Sequence, residues 1–208
     1  MPSLLIYPYR GLKRKLKVSS MSFNTKPECL VISPGGCGSN TLINYLNNYT
    51  KSNIFFEKKY KFFGLSHLYK PNYYLNKNNI KIILIKRKYS EIYKSMLSRG
   101  FIRNNLNILG VCLPFIYINL FKDKKKLKKK YYKYLNFFYN NWRNYNKENL
   151  LVVNFKDLYR NSIESKKIKK FLQIKDSKFL IKFPKYKRYP KENYVDPSTI
   201  LTNKIYKI

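Results

Sequence analysis

The sequence predicts an α/β protein built as a three-layer parallel sheet with helices packed on its faces. Three observations lead there. Leu30–Ile32, Ile80–Ile85 and Leu150–Phe155 are short, near-continuous apolar runs, the pattern of strands buried on both faces. Segments with apolar residues at helical spacing lie between them. The first run passes into a glycine-rich turn, Ser33–Gly38, which opens onto a helical stripe at Leu42, Ile43 and Leu46. Strands that alternate with helices pair in parallel through right-handed crossovers.

Taken in order, residues 1–27 read as a basic lead-in, 28–182 as the α/β domain and 183–208 as an irregular tail. In the lead-in, Leu4, Leu5 and Ile6 precede Arg10, Lys13, Arg14, Lys15 and Lys17. A secretory signal has its charges first and a longer apolar region, so none is expected here. The first strand is expected over 28–33, its loop over 34–38 and a helix over 39–49. Asn53–Phe56 reads as a short strand and Asn76–Asn79 as a turn. Ile80–Ile85 is the strongest strand signal. Ser90 is the expected N-cap of the next helix, with Glu91 in its first turn and Gly100 just past its end. Ile108–Phe121 is the longest apolar run, contains Pro114, and falls short of the roughly 20 residues that cross a bilayer. Lys122–Lys133 holds eight lysines and one aspartate. Tyr131, Tyr134, Leu135, Phe138 and Trp142 then recur at helical spacing, either as a core face or as a base-stacking surface. Leu150–Phe155 is the last strand and Ser162–Leu172 the closing helix.

The 208 residues carry 44 Lys+Arg against 10 Asp+Glu, a formal charge of +34. That excess implies anionic partners: a nucleotide, nucleic acid, an acidic glycan or an anionic membrane surface. Joint richness in Lys, Asn, Ile and Tyr is also what an AT-rich coding sequence produces, which gives the same charge a purely compositional reading. A hydrophobic content of 44% argues against wholesale disorder. Cys29, Cys37 and Cys112 are odd in number and far apart, with neither metal-ligand spacing nor a disulfide framework. A reducing, cytoplasmic setting and no metal are therefore expected. Cys37 reads as a small residue filling a tight loop rather than as a reactive thiol.

Strand, glycine turn and helix together aim backbone N–H groups at an anion, helped by the positive end of the helix dipole. Gly35, Gly36, Cys37, Gly38, Ser39, Asn40 and Thr41 are the residues expected to bind it. The plainer alternative is a strand-to-helix turn with Ser39 or Asn40 as its N-cap. The run lacks the lysine of a Walker A loop, which disfavours hydrolysis of ATP or GTP but leaves phosphate and phosphosulfate open. Ligands of parallel sheets sit at the carboxyl ends of strands, so the loop, His67 and Arg87 are expected on one rim.

Ser33–Leu42 resembles the phosphosulfate-binding loop of sulfotransferases that use 3′-phosphoadenosine-5′-phosphosulfate (PAPS). Lys86–Ser95 resembles that family's 3′-phosphate motif, an arginine at a strand end and a serine eight residues on, here Arg87 and Ser95. Leu151–Leu158 resembles a later strand of the family, and Gly64–Leu68 resembles the stretch that carries its catalytic histidine, which places His67 there. The likeness spans roughly residues 28–160. It implies a P-loop NTPase-like fold, PAPS as sulfuryl donor, no metal, His67 as general base, and an acceptor hydroxyl such as one on a carbohydrate. The family's loop lysine has no counterpart among Gly35, Gly36 and Cys37, and Leu65 stands where a lysine precedes the histidine. Lys26, Lys61 and Lys86 are the cations considered in its place. The alternative function is a basic protein that binds nucleic acid or an anionic membrane, the latter through Ile108–Phe121 and the lysine tract, and keeps the nucleotide-binding fold without activity.

Overall fold

The apolar runs pair as a parallel sheet. In the computed structural model the described residues are 27–53, 65–71, 73–102, 105–106, 109, 123–160, 163–176 and 179. Among them three strands, β1 (Cys29–Ile32), β2 (Lys81–Lys86) and β3 (Leu150–Asn154), lie in the order β1-β2-β3. Both pairs are parallel, with Val31 opposite Ile83 and Leu84 opposite Val152. Successive strand side chains point to opposite faces. All of β1 and the run Ile82–Ile85 are buried, so both faces of the sheet are covered there. β3 departs from its sequence pattern: Val153 is buried but Val152 is 45% exposed, so one face of this strand is open although the run is as apolar as the others.

The outer side of β1 is closed by a side chain. The Asn53 amide accepts from the Val31 N–H at 2.7 Å and donates to the Val31 carbonyl at 3.1 Å. Asn53 is fully buried. Asn53 itself is helical rather than extended as in the expected strand, and its side chain stands where a neighbouring backbone would. Residues 54–56 of that expected strand lie outside the described residues, as do 1–26, most of Ile108–Phe121 (Leu109 is described, and buried) and the tail from 183.

Six helices have both ends among the described residues: α1 (Ser39–Leu46), α2 (Tyr73–Lys77), α3 (Tyr89–Ser98), α4 (Lys124–Arg143), α5 (Phe155–Arg160) and α6 (Ile163–Leu172). α1 buries Leu42, Ile43 and Leu46 as its spacing predicts, but ends at Leu46 rather than 49, where Asn47–Tyr49 form turns. α3 starts one residue before Ser90: Lys88 is its N-cap, without a side-chain cap bond, and Gly100 follows at φ 71°.

The lysine tract and the aromatic run form one helix. The Asp123 carboxylate caps α4, accepting from the N–H groups of Lys125 and Lys126 at 2.9 and 3.0 Å. Leu127, Tyr131, Leu135, Phe138 and Trp142 line its buried stripe, while Lys124, Lys125, Lys126, Lys128, Lys129 and Lys133 are exposed. These rings are core, not a base-stacking surface. α4 also braces the sheet's carboxyl end. Tyr139 donates its hydroxyl to the Ile85 carbonyl at 3.2 Å, and the Trp142 indole donates to the Leu68 carbonyl at 3.0 Å. No described helix is long and apolar enough to cross a membrane.

Asn53→Ala removes the partners of the buried Val31 N–H and Val31 carbonyl. Each buried group left unsatisfied costs about 1–3 kcal/mol. Urea unfolding is expected to show a loss of about 2 kcal/mol or more, with an unchanged denaturant slope.

Candidate functional site

The carboxyl end of β1 runs into Ser33, whose N–H donates to the Ser66 carbonyl at 2.8 Å. The loop then needs backbone angles that only glycine adopts readily. Gly35, Gly36 and Gly38 have φ of 99°, 65° and 64°. Space makes the same demand. A Cβ on Gly35 would lie 2.5 Å from Asn105 Nδ2, and one on Gly36 would lie 2.9 Å from Met96 Cε. The loop's floor is polar and buried: the Asn105 amide donates to the Pro34 carbonyl, and the Tyr131 hydroxyl donates to Asn105 Oδ1.

Gly38, not Ser39 or Asn40, is the N-cap of α1, and no side chain caps the helix. The first N–H groups of a helix have no partner within it. Among the described residues the N–H groups of Gly36, Cys37, Ser39 and Asn40 make no hydrogen bond. Gly36, Gly38 and Thr41 are half-buried and Asn40 is exposed. Cys37 contributes by its backbone alone. Its thiol is buried and donates to the Gly35 carbonyl at 3.2 Å, and burial pushes its pKa up to about 12 despite the nearby Arg87 charge. That is a filler, not a nucleophile.

The predicted rim residues converge on this loop. Arg87, just past β2, donates from Nη1 to the Gly36 carbonyl at 2.5 Å and from Nε to Glu91 at 3.1 Å. Its guanidinium also lies over the Phe155 ring, with Cζ 4.1 Å from the centroid. Ser95, two turns into α3, faces Gly36: its Cβ would be 3.5 Å from a Cβ placed there. His67 ends a 3-10 turn, Leu65–His67, with Nδ1 2.8 Å from the Ser33 carbonyl. A carbonyl only accepts, so Nδ1 carries the proton and Nε2 holds the lone pair of the neutral ring.

Two site residues have no counterpart in the sequence reading. Arg99 donates from Nε to the Ser95 carbonyl at 2.9 Å and from Nη2 to Ser95 Oγ at 3.0 Å, and Nη2 would lie 3.3 Å from a Gly36 Cβ. The signal was present, since Ser95 and Arg99 are four apart and share a helix face. Asn105 is the other, and nothing in its local sequence marks it. Of the cations considered for the loop, Lys86 is the exposed last residue of β2, and Lys26 and Lys61 lie outside the described residues. No group of three or more His, Cys, Asp or Glu side chains suited to a metal occurs among the described residues.

Glu91 ties this corner together, pairing with Arg87 and, at 3.6 Å, with Lys156. The hydrogen bond from Arg87 holds its carboxyl below the ordinary value of 4.5. The pairing therefore stabilises the fold above that range and is lost as pH falls through the depressed value. Glu91→Gln lacks it at every pH. Between pH 6 and pH 3 the wild-type Tm is expected to fall further than that of Glu91→Gln, as thermal unfolding at the two pH values would show.

Compared with known proteins, the chain matches no family model, no curated protein and no solved structure.

Proposed function

We propose that the chain is a sulfotransferase that moves a sulfuryl group from PAPS to an acceptor hydroxyl, such as one on a carbohydrate or a small metabolite, on a P-loop NTPase-like fold. One observation carries the reading: Gly36, in a loop with unbonded amides, is bracketed by Arg87, Ser95 and Arg99, while His67 sits at the same loop's start. Two guanidiniums and a serine hydroxyl around a glycine loop form a cradle for phosphate-like groups. In this reading Gly35–Thr41 hold the phosphosulfate, and Arg87 with Ser95 holds the 3′-phosphate.

The chemistry follows from the groups present. The acceptor oxygen attacks sulfur, the bond from sulfur to the bridging oxygen breaks, and adenosine 3′,5′-bisphosphate leaves. His67 Nε2 takes the hydroxyl proton, with its ring held by the Ser33 carbonyl. Loop amides oppose the charge that develops on the transferred oxygens, as in phosphoryl transfer. A cytoplasmic setting, peripheral to an anionic membrane, goes with this proposal. The exposed lysines of α4 favour a second reading, a basic protein that binds an anionic membrane or nucleic acid without catalysis.

Millimolar adenosine 3′,5′-bisphosphate is expected to raise the Tm by several degrees, since ligand at 100 times Kd adds about 2.7 kcal/mol. Arg87→Ala is expected to lose most of that shift. A wild-type chain with no shift under these conditions rules the proposal out. His67→Ala is expected to keep the nucleotide shift while transfer to an accepted hydroxyl substrate slows about 10²–10⁴-fold. Equal turnover by this variant would remove His67 from the mechanism.

A further inference from the structure

Two arginines flank Gly36, and they differ in how their charge is spent. Arg87 is already compensated. Its Nε meets the Glu91 carboxylate, its Nη1 meets the Gly36 carbonyl, its plane rests on Phe155, and its side chain is only 15% exposed. An anion arriving there competes with Glu91 for the same guanidinium. Arg99 is half-buried and meets no carboxylate within ion-pair distance among the described residues. Its hydrogen bonds run to the Ser95 carbonyl and hydroxyl, with Met96 Sδ a weak contact at 3.9 Å and the Phe101 ring centroid 5.8 Å from Cζ. Those bonds use Nε and Nη2, and both N–H groups of Nη1 remain uncommitted among the described residues.

We infer that Arg99 is a second cation of this anion site beside Arg87, supplying the charge that a loop lysine would otherwise bring, while Arg87 also holds the loop. The inference rests on the anion reading of the loop proposed above. Three features bear on it. A partly desolvated guanidinium without a counter-charge is costly unless an anion compensates it. Ser95 grips Arg99 at two points, which fixes the planar fork with little further loss of entropy on binding. The missing side chain at Gly36 keeps the space beside Nη2 open, since a Cβ there would stand 3.3 Å from that nitrogen. The ligand class is a phosphate or phosphosulfate group, which a guanidinium can engage with two parallel hydrogen bonds.

Calorimetric titration of the full chain with adenosine 3′,5′-bisphosphate, and separately with inorganic pyrophosphate, tests this. Arg99→Gln is expected to weaken both by tenfold or more and Arg99→Lys to recover part of the loss, while Lys94→Gln, exposed on the same helix, binds as wild type. A folded Arg99→Gln that binds both ligands like wild type overturns the inference and leaves the nucleotide proposal standing. If pyrophosphate binds through Arg99 but the nucleotide binds no better than pyrophosphate, Arg99 keeps its role and the nucleotide proposal falls. If neither ligand binds the wild-type chain, both fall. Phenylglyoxal labelling of the wild-type chain, read by mass spectrometry, needs no variant to fold. Saturating pyrophosphate is expected to protect Arg99, and unchanged labelling of Arg99 at saturation overturns its assignment.

Discussion

The loop's geometry depends on one buried contact, the Asn105 amide held between the Pro34 carbonyl and the Tyr131 hydroxyl. A backbone that turns inward at the end of a buried strand brings a carbonyl into the core, and that carbonyl must be satisfied. Asn105 satisfies it with its donor side and is itself satisfied by Tyr131 on its acceptor side. The same amide lies where a side chain on Gly35 would be, so it also excludes any residue but glycine there. Since Tyr131 belongs to the buried stripe of α4, the height of the loop is set by a helix far away in sequence. Tyr139 and Trp142, two and three turns further along α4, fix the end of β2 and the segment after His67 in the same way. Three side chains of α4 thus anchor the loop floor, the end of β2 and the segment after His67.

Much of this was legible in the residues. Cys29–Ile32 and Lys81–Lys86 fold as the apolar runs indicate, as parallel strands with both faces covered. The convergence of the loop and Arg87 follows from the rule that parallel strands deliver their following residues to one edge, whereas His67 follows no described strand and meets the loop through the Ser33 carbonyl. Other features were illegible for physical reasons. Asn53 reads as strand because its neighbours are apolar, whereas its amide imitates a strand across a gap of 22 residues from Val31. The lysine tract was set apart from the aromatic run because its charge dominates the pattern. Only the stripe from Leu127 to Trp142, read across both, shows a single helix. Val152 has the same side chain as Val153 yet opposite exposure, which depends on what packs against β3 and not on the run itself.

Charge is distributed unevenly around the rim. Glu91 is half-buried beside Arg87 and shared with Lys156, so one of the chain's few acids is committed to restraining the arginine that holds the loop. Among the described residues no acid pairs with Arg99, which is held by Ser95 instead. In a chain of +34, nearly any surface attracts anions over a distance of about a Debye length. Discrimination must come from short-range geometry, and around Gly36 that geometry combines a fixed guanidinium, a hydroxyl and backbone amides. The lysines of α4 carry more charge but project into solvent, where each is hydrated and screened.

The side-chain amide on the outer edge of β1 has a further consequence. A parallel strand with an unpaired edge is a template on which another chain can add by backbone hydrogen bonding. At Val31, the middle of β1, Asn53 already occupies both hydrogen-bonding positions. With the Cys29 and Ser33 N–H groups bonded to the Lys51 and Ser66 carbonyls, the Asn53 side chain leaves the middle of that flank closed to intermolecular strand addition.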